Sequence, residues 1–201
     1  MSGSGDAPGK PGDPPHWTTS RKNGVGTSRG TGSHVWFSTN RGILTEVYYP
    51  RIDQAAVKDM GMIVTDGDTF FSEEQADTDS TVAWLKDGVP GFRVRNACRQ
   101  GRYVIDKTFI TDPDRHVVLQ HTRFTALQGS ADDYHLYVLL APHLGTHGRH
   151  NDPRVGDFKG LPILLAESVG CALAPAWPPG WPGRPGGYVG CSAGWTELRA
   201  P

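Results

Sequence analysis

With 201 residues and 20 basic against 21 acidic side chains, for a formal net charge of −1, the chain is long enough for one all-β domain with a sizeable core or for two small domains. The two signs are interspersed, which excludes the basic patch that nucleic acid requires and the acidic tail that a basic partner would meet. The longest apolar run, Leu136-Tyr-Val-Leu-Leu-Ala141, is far too short to span a bilayer, so neither nucleic acid nor a membrane is expected as a partner.

Residues 1–15 are mostly Gly, Ser, Pro and Asp and lack the apolar stretch of a secretory signal, which predicts a disordered leader. Three cysteines (Cys98, Cys171 and Cys191) are sparse and odd in number, and suit reduced thiols better than a disulfide framework. Both features point to a cytoplasmic protein, with export of a larger parent chain left open.

From Trp17 onward the pattern is strand, turn, strand. Ser33–Ser38 and Ile43–Tyr49 are β-branched and aromatic runs split by Asn40-Arg-Gly42, a hairpin signal. Met60–Thr65 and Thr69–Glu73 flank Asp66-Gly67, while Thr81–Lys86 and Phe92–Ala97 flank Asp87-Gly88 and Pro90-Gly91. Arg102–Thr111 and His116–Leu127 flank Asp112-Pro-Asp114. Tyr134–Ala141 reads as a strand buried on both faces, and Leu161–Glu167 as one more strand. No segment sustains an i, i+3, i+4, i+7 apolar pattern over three turns. Short strands at this spacing predict an antiparallel β-sandwich over residues 16–170. Residues 171–187 hold five prolines and four glycines, which cannot form a ladder, and residues 188–201 read as a terminal strand of the same domain.

Several motifs invite chemistry and resolve into plainer readings. His143, His147, His150 and Asp152 have metal-ligand residue types, but Gly145 and Gly148 intervene and no helix aligns them, so a polar surface loop is expected. Gly24-Val-Gly-Thr-Ser28 lacks the Gly-Lys-Ser/Thr and the strand–helix setting of a phosphate loop. Gly190-Cys-Ser-Ala-Gly194 is one step off a nucleophile elbow at Ser192. Glu46, Asp53, Glu73 and Glu74 have the chemistry of a glycosidic acid–base pair, yet nothing in the sequence makes two of them face each other. No cofactor and no metal are expected.

The aromatics Trp36, Tyr48, Tyr49 and Trp84 lie among the strands. Tyr48 and Tyr49 are adjacent and must point to opposite faces, and Pro50 ends their strand. That places one tyrosine near a rim, where binding residues concentrate. Tyr48, Tyr49 and Arg51 are therefore the candidate substrate-binding residues: tyrosine stacks on a pyranose face, and arginine donates to hydroxyls.

Four segments occur in order and carry a family likeness: Gly24-Val-Gly-Thr-Ser28, Val35-Trp-Phe through Glu46-Val-Tyr-Tyr-Pro50, Lys107-Thr-Phe-Ile-Thr-Asp-Pro113, and Tyr137-Val-Leu-Leu-Ala-Pro-His-Leu144. Together with Gly187-Tyr-Val-Gly-Cys-Ser-Ala-Gly-Trp195, which has Ala193 where the family has Asp, they resemble the N-terminal domain of bacterial and archaeal glucoamylases and glucodextranases, glycoside hydrolase family fifteen. The resemblance implies a β-supersandwich of the galactose-mutarotase-like kind, truncated at its C-terminus. It also implies a helical-barrel catalytic domain as intramolecular partner and α-glucan as the parent enzyme's substrate. The family's two catalytic glutamates belong to that barrel, so no catalytic residue is assigned and the chain is expected to be inactive alone. Residues 175–185 match nothing on either side, and their composition is that of a shifted reading frame. Two other readings are a free-standing carbohydrate-binding module and a metal-binding loop protein centred on His143.

Overall fold

The structure, a computed structural model, describes residues 21–145, 151–168 and 170–177, with the single positions Gly9, Gly12, Asp13, Gly148, Gly187 and Leu198. Nearly all of the leader, residues 178–186 of the Pro/Gly-rich segment and the terminal strand expected over 188–201 lie outside the described residues. The chain divides into two compact units, Thr18–Ala141 and Pro142–Pro201 with Met1–Trp17, whereas the sequence reading placed a single sandwich over 16–170.

The larger unit is an antiparallel β fold, as expected. One sheet holds β1 (Gly24–Thr27), β2 (Trp36–Asn40), β3 (Ile43–Tyr48), β4 (Ala55–Thr65) and β10 (His135–Pro142) in that order, with β5 (Phe71–Glu73) also on β4. The second is a meander of β6 (Thr78–Lys86), β7 (Val89–Cys98), β8 (Tyr103–Thr111) and β9 (Val118–Ala126). The turns that set these registers are legible. Arg41 and Gly42 both have positive φ, at 47° and 79°, the backbone that a two-residue β2–β3 hairpin needs to match the strand twist. Asp87-Gly88 turns β6 into β7. Pro90-Gly91, by contrast, lies inside β7, where a side chain at Gly91 would strike Phe109 O and Ile110 of the neighbouring strand.

The two sheets bury their facing sides together. Phe37 of β2 meets Phe92 of β7 and Phe109 of β8 at ring separations of 6.2 and 6.1 Å. A second cluster joins Met62, Val64 and Phe70 to Cys98, Tyr103, Ile105 and Tyr134. Each such side chain contributes about 1.5–3 kcal/mol when fully buried. The glycines of the Gly24-Val-Gly26 segment belong to this packing rather than to a phosphate loop. A Cβ on Gly24 would lie 2.8 Å from the Phe92 ring, and one on Gly26 would lie 2.3 Å from Phe37 and 2.7 Å from Pro90 O.

Three expectations are corrected, and one addition is made. The β10 strand is not buried on both faces, because it ends the described order of its sheet and its side chains are exposed or half-buried, none fully buried. Two short helical turns, α1 (Glu74–Asp77) and a 3-10 turn (Ala131–Asp133), bridge strands and are too short to show a helical period. In the smaller unit, β12 (Leu161–Ser168) is flanked by β11 (Asp152–Phe158) and β13 (Cys171–Leu173), neither of which was foreseen. Pro153 hid β11, yet β11 is an edge strand of the described three-stranded sheet, where a missing N–H donor is tolerated. The irregular segment accordingly begins after Leu173 rather than at Cys171.

Candidate functional site

Strand alternation sorts the Trp36–Asp53 segment into two faces. Phe37 and Val47 point into the sandwich. Trp36 lies opposite Tyr48 and Ser38 opposite Glu46, so these four side chains share the outer face of the same sheet. There Ser38 and Tyr48 converge on one carboxylate oxygen of Glu46. Ser38 Oγ donates to Glu46 Oε2 at 2.9 Å, Tyr48 Oη donates to it at 2.8 Å, and the Lys22 ammonium forms an ion pair with the same atom. The Glu46 side chain is 12% exposed, and its hydrogen bonds among the described residues fall on Oε2. Burial, reinforced by the hydrogen bond to Glu46 and its charge, pushes the Tyr48 phenol well above its ordinary value, so it is held as a neutral donor.

The three sequence-predicted site residues go to three places. Tyr48 is the Glu46 donor just described. Tyr49 follows the end of β3 and turns to the opposite side, where its ring packs on His116 at 4.8 Å; His116 Nδ1 in turn accepts the His34 backbone N–H at 3.0 Å. Arg51 is 71% exposed and closes on its own neighbour Asp53, with Nε and Nη2 donating to the two carboxylate oxygens at 3.0 and 2.6 Å. Only Tyr48 is thus joined to the convergent polar group.

A second charged centre escaped sequence reasoning. Glu74, in α1, is fully buried and receives Lys107 Nζ at 2.5 Å and the Met62 backbone N–H at 3.0 Å on Oε2, with Asn96 Nδ2 at 2.6 Å on Oε1. Asn96 Nδ2 also donates to Gly42 O at 2.8 Å, tying the β2–β3 hairpin to β7. Burial pulls the Lys107 ammonium below its ordinary range while Glu74 opposes the shift. The available signal was the period-two run Tyr103, Ile105, Lys107, Phe109, in which a lysine occupies an inward position of β8. This centre is enclosed, with both Glu74 oxygens engaged and Asn96 Oδ1 buried without a hydrogen bond among the described residues, and it ties the sheets together.

The other candidates resolve locally. His143 is buried, not on a surface loop, because it directly follows the apolar β10 run and Gly148 packs against its ring. His147 and His150 lie outside the described residues. Among the described residues no three His, Cys, Asp or Glu side chains converge as a metal site, and no helix is long and apolar enough to cross a membrane. Trp84 is 61% exposed on β6, with its ring 4.7 Å from Phe92. Ser192 lies outside the described residues.

Comparison with known proteins places this architecture. The family described as "Glucodextranase, domain N" matches residues 7–201. A glucoamylase of Clostridium sp. (strain G0005) is 37% identical over 188 residues, which are 94% of this chain and 27% of that protein. A crystal structure of a bacterial glucoamylase complexed with acarbose superposes with a TM-score of 0.93 at 36% identity, over 96% of this chain and 28% of that one. The chain thus spans little more than a quarter of the length of these relatives.

Proposed function

Because the chain belongs to the glucodextranase domain N family, we propose that it serves as the non-catalytic N-terminal β-sandwich of a glucoamylase- or glucodextranase-like exo-α-glucosidase. In this reading it packs on a helical-barrel catalytic domain and helps to shape the approach to that domain's glucan site. The observation that carries the proposal is the match along nearly the whole chain to a glucoamylase of which it spans 27%. The site geometry supports the non-catalytic part. Inverting or retaining hydrolysis needs two carboxyls flanking one glycosidic bond. Glu46 and Glu74, both enclosed, are instead each bound to a lysine ammonium and to two further donors.

The approach to the glucan is assigned to the end of β3 and the turn after it, with Tyr48, Tyr49 and Arg51. Arg51 offers a solvent-facing guanidinium there, held in place by Asp53. In the full-length enzyme that carries this chain, Tyr49→Ala combined with Arg51→Ala is expected to raise KM for long α-glucans several-fold and leave kcat nearly unchanged, as loss of uniform binding does. Steady-state kinetics with maltoheptaose and maltose checks this. Unchanged KM for both substrates would remove these residues from the approach.

A further inference from the structure

One exposed imidazole joins three segments of the larger unit: the loop between β1 and β2, the end of β3, and the turn between β8 and β9. His116 Nδ1 accepts the His34 backbone N–H at 3.0 Å, which requires the neutral tautomer with its proton on Nε2. The same ring stands 4.8 Å from that of Tyr49 and 5.3 Å from that of His34. The turn that presents it is set by Asp112, whose Oδ1 accepts the Asp114 and Arg115 N–H groups at 2.9 and 2.8 Å. The loop lies close against that turn: a Cβ on Gly32 would be 3.1 Å from Pro113 O and 3.2 Å from Asp114 Cα.

We propose that this junction is a pH-sensitive latch, in which His116 releases the His34 backbone on acidification and stays on Tyr49. A proton on Nδ1 turns the acceptor into a donor facing a donor, so the bond to the His34 N–H is lost. With His34 also charged, two imidazoliums repel across 5.3 Å. The Tyr49 contact goes the other way, because a cation is drawn to the face of a tyrosine ring. The surrounding charges leave the decision to the imidazole. The β1–β2 loop brings Arg29 and His34, both exposed. Beyond the end of β3, Arg51 is closed on Asp53, and in the turn Arg115 is closed on Asp112, with Asp114 between them in the chain. The latch is therefore closed at the alkaline end of the histidine range and opens as the pH falls through it. Opening stays local. Thr27 Oγ1 still donates to Val35 O at 2.9 Å, and the Asp112 bonds hold the turn in both states, so the change falls on His34 and not on Asp114 or Arg115. The latch is independent of the glucan approach assigned above, since it concerns what holds Tyr49 and not what Tyr49 binds.

The test follows the complete, 15N-labelled 201-residue chain by NMR, from about pH 8 to about pH 5. The His34 amide proton is expected to move upfield, as a lost hydrogen bond requires, along the same titration curve as the His116 ring protons. The Tyr49 ring protons should keep their displacement by the His116 ring throughout. His116→Asn places an amide oxygen near the Nδ1 position but does not titrate. In that variant the His34 amide should stay at its alkaline position over the whole range. His34→Ala removes the second imidazole and should leave the amide at that position titrating as before. A flat His34 amide in the parent chain while the His116 ring titrates overturns the latch. So does an undiminished His34 titration in His116→Asn, which would assign the response to the His34 imidazole itself. Loss of the Tyr49 displacement together with the His34 bond would overturn the change of partner.

Discussion

Two carboxylates in this domain each meet a lysine, and their surroundings make them opposites. Glu74 lies between the sheets with both oxygens occupied: Lys107 and the Met62 N–H on one, Asn96 on the other. Glu46 lies on the outer face, 12% exposed, with the donors found among the described residues crowded onto Oε2. Charge and pairing are the same in both, so neither distinguishes a sealed ion pair from an open one. Enclosure does. A carboxylate sealed between the sheets with both oxygens engaged can only hold the fold, whereas one at a partly exposed face is still in reach of solvent.

The largest expected effect tests the sealed centre. Replacing Lys107 with Met leaves Glu74 buried beside an apolar chain, which should cost about 3–5 kcal/mol in urea unfolding. Pairing it with Glu74→Leu removes the uncompensated charge but orphans the Met62 N–H and leaves Asn96 Nδ2 only its bond to Gly42 O, so only part of the loss returns. A loss near zero for Lys107→Met would break the contrast, since Glu74 would then have no need of its partner. For the open centre, Glu46→Gln keeps the shape, and its ion pair is partly solvated, so the same unfolding assay should register no more than about 1 kcal/mol.

A smaller, pH-dependent effect belongs to neither centre. Asp66 accepts the Phe70 and Asp68 backbone N–H groups, and Asp112 accepts those of Asp114 and Arg115. These bonds hold both carboxyls below the ordinary aspartate range. A carboxyl depressed in the folded state contributes stability that is complete above its unfolded pKa and is lost as pH falls through the lower folded value. Amide shifts of Asp68, Phe70, Asp114 and Arg115 should therefore stay flat down to the ordinary aspartate range and move only below it. Movement beginning near neutral pH would show that the turns are not held this way.

Most of the larger unit was legible because its turn chemistry is local. Arg41-Gly42, Asp66-Gly67 and Asp87-Gly88 each end one strand and begin another, and the pairings β2–β3, β4–β5 and β6–β7 follow from them. The strands that were missed lack such signals or contradict them, as Pro153 does in β11. The site was only half legible, for a different reason. The Trp36–Asp53 segment announced its aromatics and charges, and alternation correctly separated Tyr48 from Tyr49. Which groups converge, however, is a property of cross-strand register: Ser38 reaches Glu46 because of a bulge between Ser38 and Thr39, and Lys22 arrives from before β1. Glu74 and Lys107 stand 33 positions apart in the chain, and their meeting depends on how the two sheets stack.

The account turns on this domain supporting glucan hydrolysis without performing it. Glucose release from the non-reducing ends of maltoheptaose, measured in parallel for the purified 201-residue chain and for the same chain joined to a helical-barrel catalytic domain, tests that most directly. The account predicts steady release by the chain joined to the barrel and none by the chain alone; glucose released by the chain alone would contradict it.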